Sequence, residues 1–299
     1  MNNVKKATSE KTIFLLRKML YNTPIMRWSF ATYLYDKVFS LGMPDLTKPI
    51  KFRGSDFYID PNDRSYVPTM VAGYYEKHEL DLFEDIVQRS KVFLDIGANV
   101  GMYSVLAVNK NSKVKCYAFE PVKENSDLLA KNLRANQITD QVTVVKKAVS
   151  ETEGIATIYL DAKSSGMHSL AIDHGSIKRR VPTISVDKFC SNEAIVPDLI
   201  KIDVEGHEPS VFAGMSKVLG NQPTIFMEYM PKVNKKMIGL ITSLKKHYKY
   251  CYVVDEIRGN IKKYKLSDIN HTNNHNLILC ANKQHMQLID SVISSRKKS

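Results

Sequence analysis

Between Lys91 and Val108 the hydrophobic pattern changes period within a few residues. Val92, Phe93, Leu94 and Ile96 form a short apolar run that predicts a buried strand. Beyond Gly97 and Gly101, the apolar positions Met102, Val105, Leu106 and Val108 fall at helical spacing. Strand, glycine-containing turn and helix make the first half of a nucleotide-binding βαβ unit. The alternation continues downstream, with strands predicted over 91–97, 114–120, 142–149, 198–204, 223–230, 250–255 and 276–281. It predicts an α/β fold, Rossmann-like and doubly wound, on a mostly parallel seven-stranded sheet. Residues 91–283 are assigned to this domain. Two extra strands, 154–160 and 181–186, are expected between the third and fourth core strands, flanking the polar stretch Lys163 to Ser169.

Upstream, residues 46–90 read as a strand pair around the turn Gly54-Ser-Asp56, then a helix over 66–87 leading into the core. Residues 1–45 hold two amphipathic helix candidates, one with Ile13, Leu16 and Leu20, the other with Trp28, Leu34 and Val38. Such helices suit packing on the catalytic domain or in an oligomer, with peripheral membrane contact as the alternative.

Composition changes this picture little. An apolar fraction of 43% suffices for a packed core. Four cysteines without Cys-x-x-Cys pairing read as buried thiols in a reducing compartment. No apolar run approaches the roughly 20 residues that span a bilayer. With no secretory signal pattern at the start, the expected location is cytoplasmic, with a membrane periphery as the alternative. Charge matters more. Of the net +12, +9 lies in residues 223–299, where 14 Lys/Arg face 5 Asp/Glu. Residues 284–299 form a basic tail ending in Arg296-Lys-Lys298. An anionic partner is one reading; a solvated basic face is the other.

The glycine turn carries the first chemistry. A dinucleotide fingerprint has Gly-x-Gly-x-x-Gly, whereas this chain has Asp95-x-Gly97-x-Asn99-x-Gly101 and lacks the middle glycine. Asp95, at the strand end, can accept hydrogen bonds from an amino group, which suits S-adenosylmethionine better than a pyrophosphate. Glu120 ends the next strand, where a carboxylate accepts from both hydroxyls of a ribose, and Pro121 is expected to open the following helix. A ribose alone does not separate S-adenosylmethionine from NAD.

Four segments in order carry a family resemblance: Leu94-Asp-Ile-Gly-Ala-Asn-Val-Gly101, Ala118-Phe-Glu-Pro121, Lys147-Ala-Val-Ser150 and Asp198-Leu-Ile-Lys-Ile-Asp-Val-Glu-Gly-His-Glu208. Gly73-Tyr-Tyr-Glu76 and the stretch from Val181 to Asp187 add weaker matches. The chain resembles the FkbM-type methyltransferases, a branch of the class I S-adenosylmethionine-dependent enzymes. The resemblance implies that Ala148 and Val149 hold the adenine, and it suggests a sugar, glycan or small-metabolite hydroxyl as methyl acceptor.

At the tip of strand four, Asp203, Glu205 and His207 lie within five residues. Carboxylates and an imidazole at the carboxyl end of a central strand are candidate catalytic groups. His207 is the expected base at neutral pH, with Asp203 nearer the cofactor and able to orient the hydroxyl. The alternative activator is Mg²⁺ held by Asp203, Glu205 and Glu228, since carboxylates without cysteine favour a hard cation. Two further functions compete with O-methylation of a small acceptor. One is RNA ribose methylation, prompted by the basic C-terminal quarter. The other is a non-catalytic S-adenosylmethionine-binding or membrane-surface scaffold.

Overall fold

The computed structural model describes residues 45–296 apart from 46, 61–69, 71–74, 161–167, 172–176, 257 and 270. The expected helices within 1–44 and the end of the basic tail lie outside the described residues. Elements run β1 (Ile50–Phe52), β2 (Ser55–Phe57), α1 (Lys77–Val87), β3 (Val92–Ile96), α2 (Met102–Lys110), β4 (Lys115–Phe119), α3 (Lys123–Ala135), β5 (Val142–Val145), β6 (Ala148–Val149) and β7 (Gly154–Leu160). They continue with β8 (Ile177–Ile184), α4 (Val186–Glu193), β9 (Leu199–Ile202), α5 (Glu208–Ala213), α6 (Ser216–Gly220), β10 (Thr224–Tyr229), α7 (Lys236–Leu244), β11 (Tyr250–Asp255), β12 (Asn260–Lys265), β13 (His275–Leu279) and α8 (Lys283–Arg296).

The main sheet has the order β12-β11-β13-β10-β9-β3-β4-β5. Its β10-β9-β3-β4-β5 half is parallel, and β13, β11 and β12 add antiparallel strands at the other edge. Both faces are covered, so strands such as Leu199-Ile-Lys-Ile202 are apolar throughout apart from Lys201. On one face Phe83 of α1 meets the rings of Phe93, Tyr103 and Phe226 at 5.1, 4.8 and 5.8 Å between centroids. On the other, Leu94, Ile200, Ile202 and Met227 pack against Phe189, Phe212 and Ile241 from α4, α5 and α7.

Three differences from the sequence expectation have physical reasons. The sheet has eight strands, because β12 joins its edge. Only Ile261 of that strand is buried, while Lys262, Lys263 and Lys265 are exposed, as suits an edge that must not pair with another chain. The strand expected over 142–149 is divided: β5 stays in the main sheet, and β6 leaves it to pair with β8. The single helix that the spacing of Phe212, Met215 and Leu219 predicts after His207 divides at Gly214, whose Cβ would stand 2.3 Å from the Ser150 carbonyl oxygen. The extra strands expected at 154–160 and 181–186 are present as β7 and β8, paired antiparallel beside β6. All four cysteines are free and buried, as expected. No helix among the described residues is long and apolar enough to cross a membrane.

Candidate active site

Two buried carboxylates stand at the carboxyl ends of β3 and β4. Gly97 takes φ 83°, and a Cβ there would come 1.9 Å from the Asp203 carbonyl oxygen, so the turn lies directly against the end of β9. Gly101 takes φ 82°, with Leu129 Cγ 2.8 Å from where a Cβ would be, letting α2 start against α3. Between them the Asn99 N–H donates to Glu120 Oε2 at 2.8 Å, and the Val122 N–H donates to Oε1 at 2.9 Å. Glu120 thus pins the glycine turn. The Asn125 side chain donates to Glu120 as well, and since a carboxylate accepts about four hydrogen bonds, about one acceptor position remains for a ribose hydroxyl. Asp95 Oδ2 accepts from Ser104 Oγ at 2.6 Å. Burial pushes Glu120 up to about 7 and Asp95 up to about 6. Desolvated carboxylates of this kind call for donors, and the ribose hydroxyls and amino group of S-adenosylmethionine are donors of the right type.

Pro121 lies just before α3, whose N-cap is Val122; it does not occupy the first helical turn as expected. Ala148 and Val149 are buried in β6, Ala148 in a small core with Val122.

The second half of the site is an acid cluster around a buried cation. Lys201, from β9, is 2% exposed, and its Nζ lies 3.1 Å from Asp203 Oδ2 and 4.9 Å from the Tyr103 ring centroid. Burial alone would lower its pKa, but Asp203, then Glu79, Glu76 and Glu228, hold it well above the usual lysine value. Tyr103 donates to Glu76 Oε2 at 2.6 Å or to Glu79 Oε1 at 2.9 Å, and Asn276 Nδ2 donates to Glu79 at 2.7 Å. Glu256, after β11, accepts the His78 and Glu79 N–H groups at 3.0 and 2.7 Å, fixing the start of α1 over this cluster.

Asp203, Glu205 and Glu228 each present an oxygen within 4.8 Å of the others. Glu205 reaches this position because its backbone turns left-handed at φ 50°, ending the alternation expected from an extended strand. Burial, then Asp203, pushes Glu205 up to about 8, whereas Asp203 is the larger cause that takes Glu228 to about 9. Three half-buried carboxylates so close are a candidate site for a hard divalent cation.

His207 stands apart from them in its contacts. Its Nε2 meets Ser150 Oγ at 3.1 Å, and burial pushes its pKa down to about 4. Glu208 accepts from the Val204 and Gly206 N–H groups, both at 3.3 Å, and holds the turn from inside. The sequence reading missed Glu79, Tyr103 and Asn276. Tyr103 sits two residues beyond Gly101, and Glu79 three beyond the Gly73-Tyr-Tyr-Glu76 segment, so those two were within reach. A cavity of about 730 Å³ opens beside Glu228.

A glycine turn over paired acidic strand ends, on a parallel sheet completed by antiparallel strands, defines a class I S-adenosylmethionine-dependent methyltransferase. The methyltransferase FkbM domain matches residues 95–259, over half the chain, and the chain belongs to that family. Hexuronic acid methyltransferase AglP from Haloferax volcanii is 27% identical over 170 residues, covering 56% of this chain and 68% of that protein. Among solved structures, methyltransferase FkbM from Methylobacillus flagellatus aligns at TM-score 0.43 and 14% identity, covering 74% of this chain and 55% of its own. The chain therefore spans little more than half of that protein. An O-methyltransferase from Bacillus cereus in complex with SAH aligns at TM-score 0.41 and 12% identity, covering 67% and 80%.

Proposed function

We propose that this protein transfers a methyl group from S-adenosylmethionine to a hydroxyl oxygen of a sugar or glycan. The observation that carries this reading is the meeting, at one sheet edge, of the Asp95–Glu120 pair with the Asp203–Glu205–Glu228 cluster. Gly97 joins them, its backbone pressed against Asp203. The sugar acceptor draws support from the hexuronic acid methyltransferase relative.

S-adenosylmethionine supplies an electrophilic methyl carbon on a positively charged sulfur. Glu120 would hold the ribose, Asp95 the amino end, and Ala148 with Val149 the adenine. Displacement at that carbon is in-line, so the protein's main task is alignment. An alcohol must also shed its proton. Glu205 and Glu228 would accept it once ionised, above their raised pKa values of about 8 and 9, with Lys201 limiting the charge that accumulates. The same three carboxylates would hold Mg²⁺, which would favour the deprotonated hydroxyl. His207 is the weaker candidate base, because Ser150 occupies its Nε2 and burial has lowered its basicity.

The reading is tested with S-adenosylmethionine labelled in the methyl group, incubated with glycan, lipid, RNA and small-molecule fractions of a cell extract. Label is expected in the glycan or sugar fraction, in a linkage that survives mild alkali as an ether does. Label confined to RNA, or an alkali-labile ester, would overturn it.

A further inference from the structure

The cavity beside Glu228 lies between the end of β10, the 271–274 segment entering β13, and the β11–β12 hairpin. β11 runs in the same direction as β10, since each is antiparallel to β13. The hairpin tip therefore stands at the same carboxyl edge as Asp203. It is seated there firmly: at Gly259, φ 65°, a Cβ would come 2.8 Å from His78 Nε2.

The lining combines Glu228 with Arg258, Lys262, Tyr264, Asn273 and Asn274. Two other acidic groups of the wall are already engaged. Glu256 accepts two N–H groups of α1. Asp255 accepts the Arg258 N–H at 2.9 Å and lies only loosely against its guanidinium, at 3.9 Å. Lys262 is exposed and makes no ion pair among the described residues. Two cations thus line the space, Lys262 without an ion pair among the described residues and Arg258 only loosely held by Asp255, among amides suited to hydroxyl groups. Glu228 closes the end nearest the acid cluster.

We infer that this cavity is the acceptor subsite, and that Arg258 and Lys262 grip a carboxylate or phosphate on the acceptor while its reacting hydroxyl lies at Glu228. This rests on the methyl-transfer reading above. A cavity of about 730 Å³ falls inside the range of roughly 300–1,000 Å³ typical of small-molecule sites. Guanidinium and ammonium groups recognise both anions, Arg258 with a planar fork and Lys262 as a point charge. Selection for a negatively charged acceptor would then come from the hairpin, separately from the methyl-transfer machinery.

The test uses the full chain saturated with S-adenosylhomocysteine and three probes: D-glucuronate, D-glucose 1-phosphate and D-glucose. Dissociation constants are read by ligand-observed NMR at low ionic strength. At least one anionic probe is expected to bind about tenfold more tightly than glucose, a difference of about 1.4 kcal/mol. The carboxylate and phosphate arms show which anion is preferred. Arg258→Gln/Lys262→Gln, two exposed substitutions, is expected to abolish that preference while leaving glucose and S-adenosylhomocysteine binding within about twofold. Equal binding of glucose and both anionic sugars, no binding of either anionic sugar, or a preference that survives the double substitution would overturn the inference. Failure to bind S-adenosylhomocysteine at all would instead overturn the methyltransferase reading, and this one with it.

Discussion

Replacing Lys201 by methionine removes the one positive charge that the described residues place inside the acid cluster, while keeping much of the side chain's volume. Its Nζ lies 3.1 Å from Asp203 Oδ2, and at an effective dielectric near 20 such a pair attracts by about 5 kcal/mol. Removing one partner of a buried pair costs about 3–5 kcal/mol, because the other charge is left behind. Asp203 is 27% exposed, which screens the pair and favours the lower part of that range. Glu79, 3% exposed, argues the other way, since it too loses its counter-charge. At about 2–4 °C per kcal/mol for a chain of this size, Lys201→Met should melt roughly 6–20 °C below wild type. The assay is thermal unfolding with urea denaturation of Lys201→Met, Asp203→Asn and the double variant. In the double variant one stranded carboxylate is gone, so its loss should fall at least about 1 kcal/mol short of the sum of the single losses. Strict additivity, or Lys201→Met within about 0.5 kcal/mol of wild type, would refute the view of Lys201 as the counter-charge of this cluster.

Other outcomes follow from the same geometry. Glu228→Gln should cut methyl transfer by about 10²-fold or more, whereas His207→Ala should cost less than about tenfold; initial rates with a identified acceptor would show the reverse if His207 were the base. The folded-state pKa values of Glu205 and Glu228, pushed up to about 8 and 9, mean that the folded chain holds more protons than the unfolded one between about pH 5 and 9. Stability of the ligand-free protein should therefore fall as pH rises through that window, and Glu228→Gln should flatten the slope in melting scans. A cation bound by these carboxylates competes with protons, so Mg²⁺ affinity by calorimetry should rise over the same interval.

Much of the donor half was legible in the sequence because it is local. Asp95, Gly97, Asn99 and Gly101 lie within seven residues, and the backbone requirements of the turn are written in its glycines. The acid half depends on contacts that sequence spacing cannot display. Glu79 reads as an ordinary polar position on α1 until the fold sets it beside Lys201, 122 positions later, and Asn276 reaches it from β13. His207 shows the converse. Its place at the tip of strand four and its near-neutral ordinary pKa read as a base, while the contact of its ring with Ser150, beyond the turn made by Glu205 and Gly206, is not visible in the sequence. β12 was missed because an edge strand needs so little apolar surface that its lysines read as a charge cluster.

On the proposed reading, the edge formed by Asp95, Gly97 and Glu120 is built for S-adenosylmethionine. Calorimetric titration of the wild-type chain with S-adenosylmethionine, S-adenosylhomocysteine and NAD, repeated with Glu120→Ala, tests it most directly. The two sulfur compounds should bind at least about tenfold more tightly than NAD, a difference of about 1.4 kcal/mol. Glu120→Ala should weaken them by a similar factor or more, since it removes a buried acceptor and leaves the Asn99 and Val122 N–H groups unpaired. NAD binding equal to or tighter than S-adenosylmethionine, or affinity unchanged by Glu120→Ala, would contradict the claim.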